Sequence, residues 1–414
     1  MAFETWETWR TPEEGGFDGG KLSIAAEQIE RRIREGKLAG AASFVSRGGR
    51  IAHCSVQGFA DRENGRPLGQ EAVFRLASMT KPITAVAVMT LVEQGKIRLT
   101  DPIGKYVPEF GGDSYVAVPD VQASVASYEP DPEAPAGSIP EAVPAYTLEP
   151  AIRPMTVRDL LTHSCGLGQG PVGFREMRMP GEDVTLASHI PAWARVPLDF
   201  QPGAQTGYSP IAAFDILGRI VEAASGLPLD VYLGRALFEP LGMRDTTFGP
   251  SAEQRTRLVA LYESVDGGLR RTEEQNPFFH PTYYSGAAGL FGTMEDYCRF
   301  ARMLAGEGEC GGTRILRAET VRQMASPQLP DSIKGFPEWQ TWGLGMRVVT
   351  DGESAGSCLT TGSYGWSGAW GTHFWIDPRK DLFAVLMVNL ANAGGSDSEA
   401  SREFERAVMW ALAY

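Results

Sequence analysis

The residues of this sequence whose spacing most directly suggests chemistry are Ser78 and Lys81. Positions three apart on a helix lie on one face, about one turn apart, so the lysine amine can reach the serine hydroxyl. A serine hydroxyl is a weak nucleophile unless a base lies beside it. A buried lysine can be that base, because burial disfavours its charged form. The pair therefore suggests nucleophilic catalysis by serine.

An isolated Ser-x-x-Lys also arises when a serine caps a helix and an exposed lysine follows in the next turn. Two features favour a catalytic pair here. The motif occurs once in the sequence, and the segment 83–93 that follows it is strongly apolar and stops at Gly95. A helix this apolar is expected to be buried, so a lysine in its first turns is not ordinary surface charge.

The composition is that of a soluble globular protein. The chain has 414 residues, 43% hydrophobic and 21% charged, enough for one large domain or two interleaved domains. Its net charge of -13, without a basic block, argues against nucleic-acid binding. We find no secretion-signal pattern, no membrane-spanning apolar run and no paired spacing among the five cysteines. We therefore expect a cytoplasmic protein that binds neither membrane nor nucleic acid.

Several common enzyme motifs are absent from the sequence. The five histidines have no metal-ligand spacing, and there is no His-Glu-x-x-His. No phosphate-binding Gly-x-x-x-x-Gly-Lys-Ser/Thr loop and no Gly-x-Ser-x-Gly elbow are present either. We expect no metal and no cofactor, which leaves the serine–lysine pair as the leading catalytic candidate.

The periodicity predicts an α/β fold of the α+β type. Segments 41–46 and 50–57 alternate as strands of a hairpin, and 382–388 is strand-like near the other chain end. Amphipathic helices are predicted over 211–224 and 398–412. We expect an antiparallel sheet built from both chain ends and flanked by helices, with a mostly helical region inserted between them.

The predicted domain boundaries follow from this pattern. Residues 1–110 and 280–414 would form the sheet domain, and 111–279 would form the inserted, mainly helical domain. Within the insertion, 111–154 is rich in proline and lacks helical periodicity. This stretch is either a long loop or a β-rich excursion, and it either edges a substrate pocket or is a surface insertion.

Further stretches occur in a characteristic order along the chain. They are 74–81, 160–167, Tyr208-Ser209, 286–290 and Trp366-Ser367-Gly368. Together they resemble the serine β-lactamase-like and penicillin-binding-protein superfamily, in its class C β-lactamase branch and closest to the family VIII carboxylesterases. The resemblance covers roughly residues 22–412 and implies a β-lactamase/transpeptidase-like fold.

The resemblance also implies chemical roles. Ser78 would be the nucleophile, and Lys81 would take its proton and hold positive charge in the site. The second motif of the family is Tyr-x-Asn, and Tyr208 matches its tyrosine. If Lys81 stabilises its phenolate, Tyr208 would act as a general base or return the proton to the leaving group.

The third motif of the family corresponds here to Trp366, Ser367 and Gly368, which the resemblance assigns to substrate binding. The backbone N–H of Ala369 would pair with that of Ser78 to form an oxyanion hole. Such donors each stabilise the transition state by about 3 kcal/mol or more.

Two departures from the family pattern favour an ester as the substrate. Trp366 replaces a lysine that would hold a carboxylate, and Pro210 replaces an asparagine that would bind an amide. Without these polar groups, recognition of a charged amide substrate is weakened. The leading interpretation is a serine carboxylesterase for a small-molecule ester. A β-lactamase or D-amino-acid peptidase, an acyltransferase using the same acyl-enzyme, and a non-enzymatic binding module remain alternatives, and the oligomeric state is not predicted.

Two histidines and an aromatic cluster lie near these motifs in the sequence. We interpret His163, in Leu-Leu-Thr-His-Ser, as a buried structural histidine that bonds to backbone groups. His373 is expected to be a partly buried strand residue, although it follows the third motif closely enough to approach the site. An aromatic cluster either lines an acyl pocket or packs in the core: Phe278, Phe279, Tyr283 and Tyr284.

Overall fold

The structure is a computed structural model that describes residues 6–119, 145–181, 183–272, 282–333, 339–391, 393–395 and 398–412. Its α-helices, in chain order, are α1 (Gly19–Arg34), α2 (Thr80–Glu93), α3 (Val157–Leu161), α4 (Pro171–Glu176), α5 (Leu186–His189), α6 (Ala212–Ser225), α7 (Leu229–Leu233), α8 (Glu239–Leu241), α9 (Ala252–Arg257), α10 (Met294–Ala305), α11 (Ala318–Met324) and α12 (Glu399–Ala411). Shorter 3₁₀ turns cover Ala77–Met79, Ile103–Lys105, Pro108–Gly111 and Ile190–Arg195, and a π-helical turn covers Gly234–Phe238.

The strands, in chain order, are β1 (Gly40–Arg47), β2 (Arg50–Asp61), β3 (Arg66–Pro67), β4 (Phe74–Arg75), β5 (Tyr115–Pro119), β6 (Tyr146–Pro150), β7 (Tyr262–Val265), β8 (Gly268–Arg271), β9 (Phe291–Gly292), β10 (Glu309–Cys310), β11 (Thr313–Arg314), β12 (Gln340–Trp342), β13 (Arg347–Val349), β14 (Tyr364–Ser367), β15 (His373–Asp377), β16 (Leu382–Met387) and β17 (Leu390–Ala391).

The largest sheet joins the two ends of the chain. Among the described residues it has eight antiparallel strands in the order β12-β13-β14-β15-β16-β1-β2-β3. The junction is between β16 and β1, where Phe44 pairs with Val385. In the predicted hairpin β1–β2, Gly48 and Gly49 take φ values of 59° and 72°, which glycine adopts without a steric cost. The predicted fold class is confirmed.

The two faces of this sheet pack against different helices. Successive residues of a strand point to opposite faces, and neighbouring Phe374 and Trp375 on β15 belong to two separate hydrophobic clusters. Phe374 contacts Tyr297 of α10, whereas Trp375 contacts Phe404 of α12. The sheet is therefore covered by α10 and the α2 region on one side, and by α1 and α12 on the other.

Helix α2 is the buried helix that the apolar run predicted. Every residue from Thr80 to Leu91 is buried. The helix ends before Gly95, whose φ of 72° lies in the left-handed region. A helix buried on all sides gives its first turn a fixed position in the core, and that turn carries Lys81.

The region predicted as an insertion contains helices α3 to α9 together with the hairpins β5–β6 and β7–β8. Residues 120–144 of the proline-rich stretch lie outside the described residues, but its flanks pair as β5 and β6. The domain boundaries stay a prediction. No helix within the described ranges combines the length and the apolar character needed to cross a membrane.

Candidate active site

Ser78 lies in the 3₁₀ turn that leads into α2. The turn is fixed on both sides, because Leu76 N donates to Leu290 O at 2.9 Å and Tyr297 Oη donates to Met79 O at 3.0 Å. Ala77, directly before the serine, has a φ of 47°, which is costly for a residue with a side chain. Ser78 is half-buried while its neighbours are buried, so the turn presents the hydroxyl at the surface of a rigid core.

Lys81 is fully buried, and three oxygen atoms surround its amine. Nζ lies 2.6 Å from Pro210 O, 3.1 Å from Ala287 O and 3.1 Å from Ser78 Oγ. A neutral amine has two N–H donors and one lone pair. Two of the three positions around Nζ face backbone carbonyls and the third faces the serine hydroxyl, so in its neutral form the amine would direct its lone pair at the serine proton.

Tyr208 completes the group from the segment before α6. Its hydroxyl donates to Ser78 Oγ at 2.7 Å, and its side chain is 37% exposed. Lys81 Nζ lies 5.0 Å from the centre of the Tyr208 ring. The structure thus brings Ser78, Lys81 and Tyr208 into hydrogen-bonding distance around one oxygen atom, although 130 positions separate the serine from the tyrosine.

His163 holds the tyrosine segment in place. Its Nδ1 accepts a hydrogen bond from the backbone N–H of Ser209 at 3.1 Å, and its carbonyl oxygen accepts one from the backbone N–H of Gly207 at 3.1 Å. Burial, aided by the positive charge of Lys81, holds the pKa of His163 well below its usual value, so the ring is neutral. Its Nε2 has no hydrogen-bond partner within the described chain. The predicted structural role agrees with these contacts, which flank Tyr208 on both sides.

An aromatic wall adjoins the tyrosine. The ring centres of Tyr208 and Trp366 are 5.2 Å apart, and those of Trp366 and Trp342 are 4.7 Å apart. Trp342 is also nearly parallel to Tyr208, with an interplanar angle of 13°. The sequence alone did not single out Trp342 as a site residue. No local sequence motif predicts the contact between Trp342 and Trp366, because the two residues are brought together by the strand order β12-β13-β14 in the sheet.

The end of β14 lies against the nucleophile turn. A Cβ added to Gly368 would come within 2.5 Å of Leu76 O, so only glycine permits this approach. Thr372 Oγ1 also donates to Leu76 O at 3.1 Å. Across the described residues, the backbone N–H groups of Ser78 and Ala369 have no hydrogen-bond acceptor. This leaves both amides available to an oxyanion, as the resemblance implied; their role stays a prediction.

Ser367 points to the other face of the sheet from Trp366, and its predicted substrate-binding role stays a prediction. Trp366 faces Tyr208, so the next side chain along β14 points to the opposite face of the sheet. There Ser367 Oγ lies 2.7 Å from His373 Nδ1, and His373 Nε2 lies 2.9 Å from Glu405 Oε1. The hydroxyl of Ser367 therefore contacts His373, on the face of the sheet opposite to the one that carries Trp366 and Tyr208. His373, which we expected to be partly buried, is fully buried in this second cluster.

The aromatic residues before Gly286 are only partly described. Phe278 and Phe279 lie outside the described residues. Tyr283 is buried and donates its hydroxyl to Asp215 at 2.8 Å, while Tyr284 packs against Phe248. Both tyrosines therefore contact other side chains of the protein. In the described ranges no cluster of three or more His, Cys, Asp or Glu side chains has a geometry that could hold a metal ion.

Comparisons with known proteins identify the family of this chain. The family model described as Beta-lactamase matches residues 25–407. Protein Rv1367c of Mycobacterium tuberculosis is 34% identical over 393 residues, covering 90% of each chain. Esterase EstB of Burkholderia gladioli is 30% identical over 408 residues, covering 92% of this chain and 93% of its own.

Solved structures show the same fold. EstCE1, described as a hydrolase with promiscuous acyltransferase activity, aligns with a TM-score of 0.76 at 24% identity, over 94% of this chain and 99% of its own. Unliganded simvastatin synthase (LovD) of Aspergillus terreus, as its selenomethionyl derivative, aligns with a TM-score of 0.76 at 20% identity, over 94% and 98%. With a family model that spans nearly the whole sequence, the chain belongs to the beta-lactamase family of serine hydrolases, which includes esterase, carboxypeptidase and acyltransferase relatives.

Proposed function

We propose that the protein is a serine carboxylesterase that works through an acyl-enzyme on Ser78. The observation that carries this proposal is the arrangement around Lys81. Pro210 O and Ala287 O occupy two of its hydrogen-bonding positions, and the third faces Ser78 Oγ at 3.1 Å. A base aimed at a serine in this way is what nucleophilic catalysis requires.

Acylation would begin with attack of Ser78 Oγ on the ester carbonyl carbon while Lys81 takes the hydroxyl proton. The oxyanion formed would accept hydrogen bonds from the backbone N–H groups of Ser78 and Ala369. Collapse of this intermediate breaks the bond to the alcohol, and Tyr208 donates its proton to the departing oxygen. Lys81, now an ammonium, then lies close enough to stabilise the Tyr208 phenolate.

Deacylation would reverse these proton transfers. The Tyr208 phenolate takes a proton from water, whose oxygen attacks the acyl carbon. The bond to Ser78 Oγ breaks, and the serine oxygen regains its proton from Lys81. One ester and one water are consumed, one acid and one alcohol are released, and all three side chains return to their starting state.

The preference for esters rests on the groups around this centre. Trp366 stands where a lysine would hold a carboxylate, and with Trp342 it forms an aromatic wall beside Tyr208. Pro210 contributes its carbonyl to Lys81 and has no side-chain amide to offer an amide substrate. The relative EstB, at 30% identity, carries the name esterase. These observations favour an uncharged ester over a β-lactam or a peptide.

The test compares p-nitrophenyl butyrate with nitrocefin, using Ser78→Ala protein to measure background. We expect kcat/KM for the ester to exceed that for nitrocefin by roughly 100-fold, because the site lacks the polar groups that a charged lactam needs. Equal or faster nitrocefin turnover would contradict the proposal. Adding an alcohol as acceptor and analysing the products would separate hydrolysis from acyl transfer.

A further inference from the structure

Asp215 is a buried acid that the sequence did not single out. It lies in the first turn of α6 and has no exposed surface. Its carboxylate accepts three hydrogen bonds, from Tyr283 Oη at 2.8 Å, Ser285 Oγ at 2.7 Å and Ala287 N at 2.9 Å. All three donors belong to the short segment 283–287, so this one side chain fixes the course of that segment.

The same segment holds Lys81. Ala287 donates its N–H to Asp215 and accepts from Lys81 Nζ through its carbonyl at 3.1 Å. Thr84, one turn further along α2, donates to Gly286 O at 2.7 Å. A single peptide segment is therefore clamped between the carboxylate of α6 and the first turns of α2, and it connects Asp215 to the base.

The carboxylate is retained at a cost to the fold. Burial raises the pKa of Asp215 to about 6, although its hydrogen bonds and the positive charge of Lys81 act in the opposite direction. Among the described residues, the titratable groups with the largest effect on the pKa of Asp215 are Tyr283 and Lys81. Burial, together with the charge of Asp215, raises the pKa of Tyr283 well above its usual value, so Tyr283 remains a donor. An asparagine would fill the same space without a buried charge, which points to a use for that charge.

We propose that Asp215 is a positioning residue that holds the Ala287 carbonyl against Lys81 and stabilises the ammonium formed when Lys81 takes the Ser78 proton. The inference rests on the proposed function of Ser78 and Lys81. It follows the general arrangement in which a nucleophile contacts a base and a third group orients that base. Here the third group acts through one residue, Ala287, instead of contacting the base directly.

The test is Asp215→Asn, read out by the rate at which a fluorophosphonate labels Ser78, measured by intact mass across a range of pH. Ser78 Oγ attacks phosphorus, the P–F bond breaks, fluoride leaves, and Lys81 takes the serine proton. We expect labelling at the pH optimum to fall by about tenfold or more, as for loss of a group assisting proton transfer. Without the negative charge the ammonium form is less favoured, so the acid limb should move to lower pH by roughly one unit.

Asp296→Asn is the matched control. Asp296 is also a buried acid in the first turn of a helix, α10, and burial raises its pKa to about 6. Its carboxylate accepts hydrogen bonds from Thr246 Oγ1 and from the backbone N–H of Asp245, and neither donor belongs to the segment 283–287. We expect this variant to leave the position of the acid limb unchanged, and thermal unfolding of both variants shows whether each is folded.

The outcomes are distinguishable. Asp215→Asn protein that is folded, slower and shifted to lower pH, beside an unshifted Asp296→Asn, supports the proposal. A uniformly lower rate without a shift, or a variant that does not fold, assigns Asp215 a purely structural role and overturns it. Failure of wild-type Ser78 to react at all would instead overturn the proposed function, and this inference with it.

Discussion

Two regions of the molecule each place a serine beside a nitrogen base, on opposite faces of the same sheet. Ser78 meets Lys81 and a partly exposed Tyr208, whereas Ser367 meets His373 and Glu405. The second cluster has the residue types of a serine-protease triad, yet its members are 5%, 0% and 7% exposed, sealed between the sheet and α12. Both clusters have residue types that could support nucleophilic catalysis, so we distinguish them by whether a substrate can reach the serine.

The supporting elements explain the difference. Ser78 lies on a tight turn at the start of a helix, where it is half-buried while Ala77 and Met79 on either side are buried. Ser367 lies on β14, where the alternation of the strand directs its hydroxyl toward α12. We therefore assign chemistry to the first cluster and stability to the second, and the predictions below test that division.

The largest effect is expected from Ser78→Ala. Removal of the nucleophile should lower ester kcat/KM by about 10⁴-fold or more, as in other hydrolases that depend on an acyl-enzyme. Ser367→Ala is the matched control, and it should keep kcat/KM within about tenfold because its hydroxyl contacts His373 on the opposite face of the sheet. The two rates are measured on one p-nitrophenyl ester. A comparable loss of kcat/KM in both variants would contradict the assignment of catalysis to the Ser78 cluster alone.

Tyr208→Phe should have the next largest effect. It keeps the ring against Trp366 and removes only the hydroxyl that contacts Ser78 Oγ, so kcat should fall by about 10²- to 10⁴-fold with little change in KM. Steady-state kinetics with Tyr284→Phe as the control check this. An unchanged kcat would mean that proton transfer to the leaving group does not involve Tyr208.

A smaller effect is expected from Trp366→Ala, which opens the aromatic wall and leaves Ser78, Lys81 and Tyr208 in place. Loss of apolar contact should cost about 1–3 kcal/mol of transition-state binding for a large acyl or aryl ester. Activity on p-nitrophenyl acetate should fall less than on the butyrate or benzoate. Equal losses on all three esters would show that Trp366 does not contact the substrate.

A substitution in the second cluster, Glu405→Gln, is expected to lower the free energy of unfolding and to leave catalysis nearly unchanged. Burial alone would raise the pKa of Glu405, but the hydrogen bond with His373 and the charge of Arg347 hold it below its usual value. Because this folded-state pKa is depressed, its stabilising contribution is present above about pH 4.5 and is lost as the pH falls further. Glu405→Gln should cost about 1–3 kcal/mol of unfolding free energy at pH 7.

Urea unfolding at pH 7 and at pH 4 checks this prediction. The difference in unfolding free energy between wild type and Glu405→Gln should narrow at the lower pH, because the unfolded chain takes up a proton at Glu405 there before the folded protein does, and kcat at pH 7 should stay within a few-fold. A variant that is as stable as wild type but catalytically dead would place Glu405 in the reaction instead.

Much of the fold could be predicted because its signals are local. The hairpin glycines 48 and 49, the apolar run of α2 and the strand pattern at both chain ends each act through neighbouring residues. The serine–lysine spacing is local as well. The position of Tyr208 came from motif order alone, since nothing in residues 79–207 indicates that the chain returns to Ser78.

The rest depended on contacts between distant segments. Trp342 joins the aromatic wall through sheet order, and Pro210 and Ala287 hold Lys81 through backbone oxygens that any residue would carry. The direction of Ser367 follows from strand alternation, but only once the face of Trp366 is known. Asp215 is identifiable only by its burial and its donors, which a sequence does not display.

The most direct test of the central claim is to map the serine that reacts. Wild-type protein is treated with a fluorophosphonate, digested and analysed by mass spectrometry for the modified peptide. We predict the phosphonyl group on Ser78, none on Ser367, and no labelling of Ser78→Ala protein. Modification of Ser367, or labelling that persists in Ser78→Ala, would contradict the assignment of the chemistry to the Ser78 cluster.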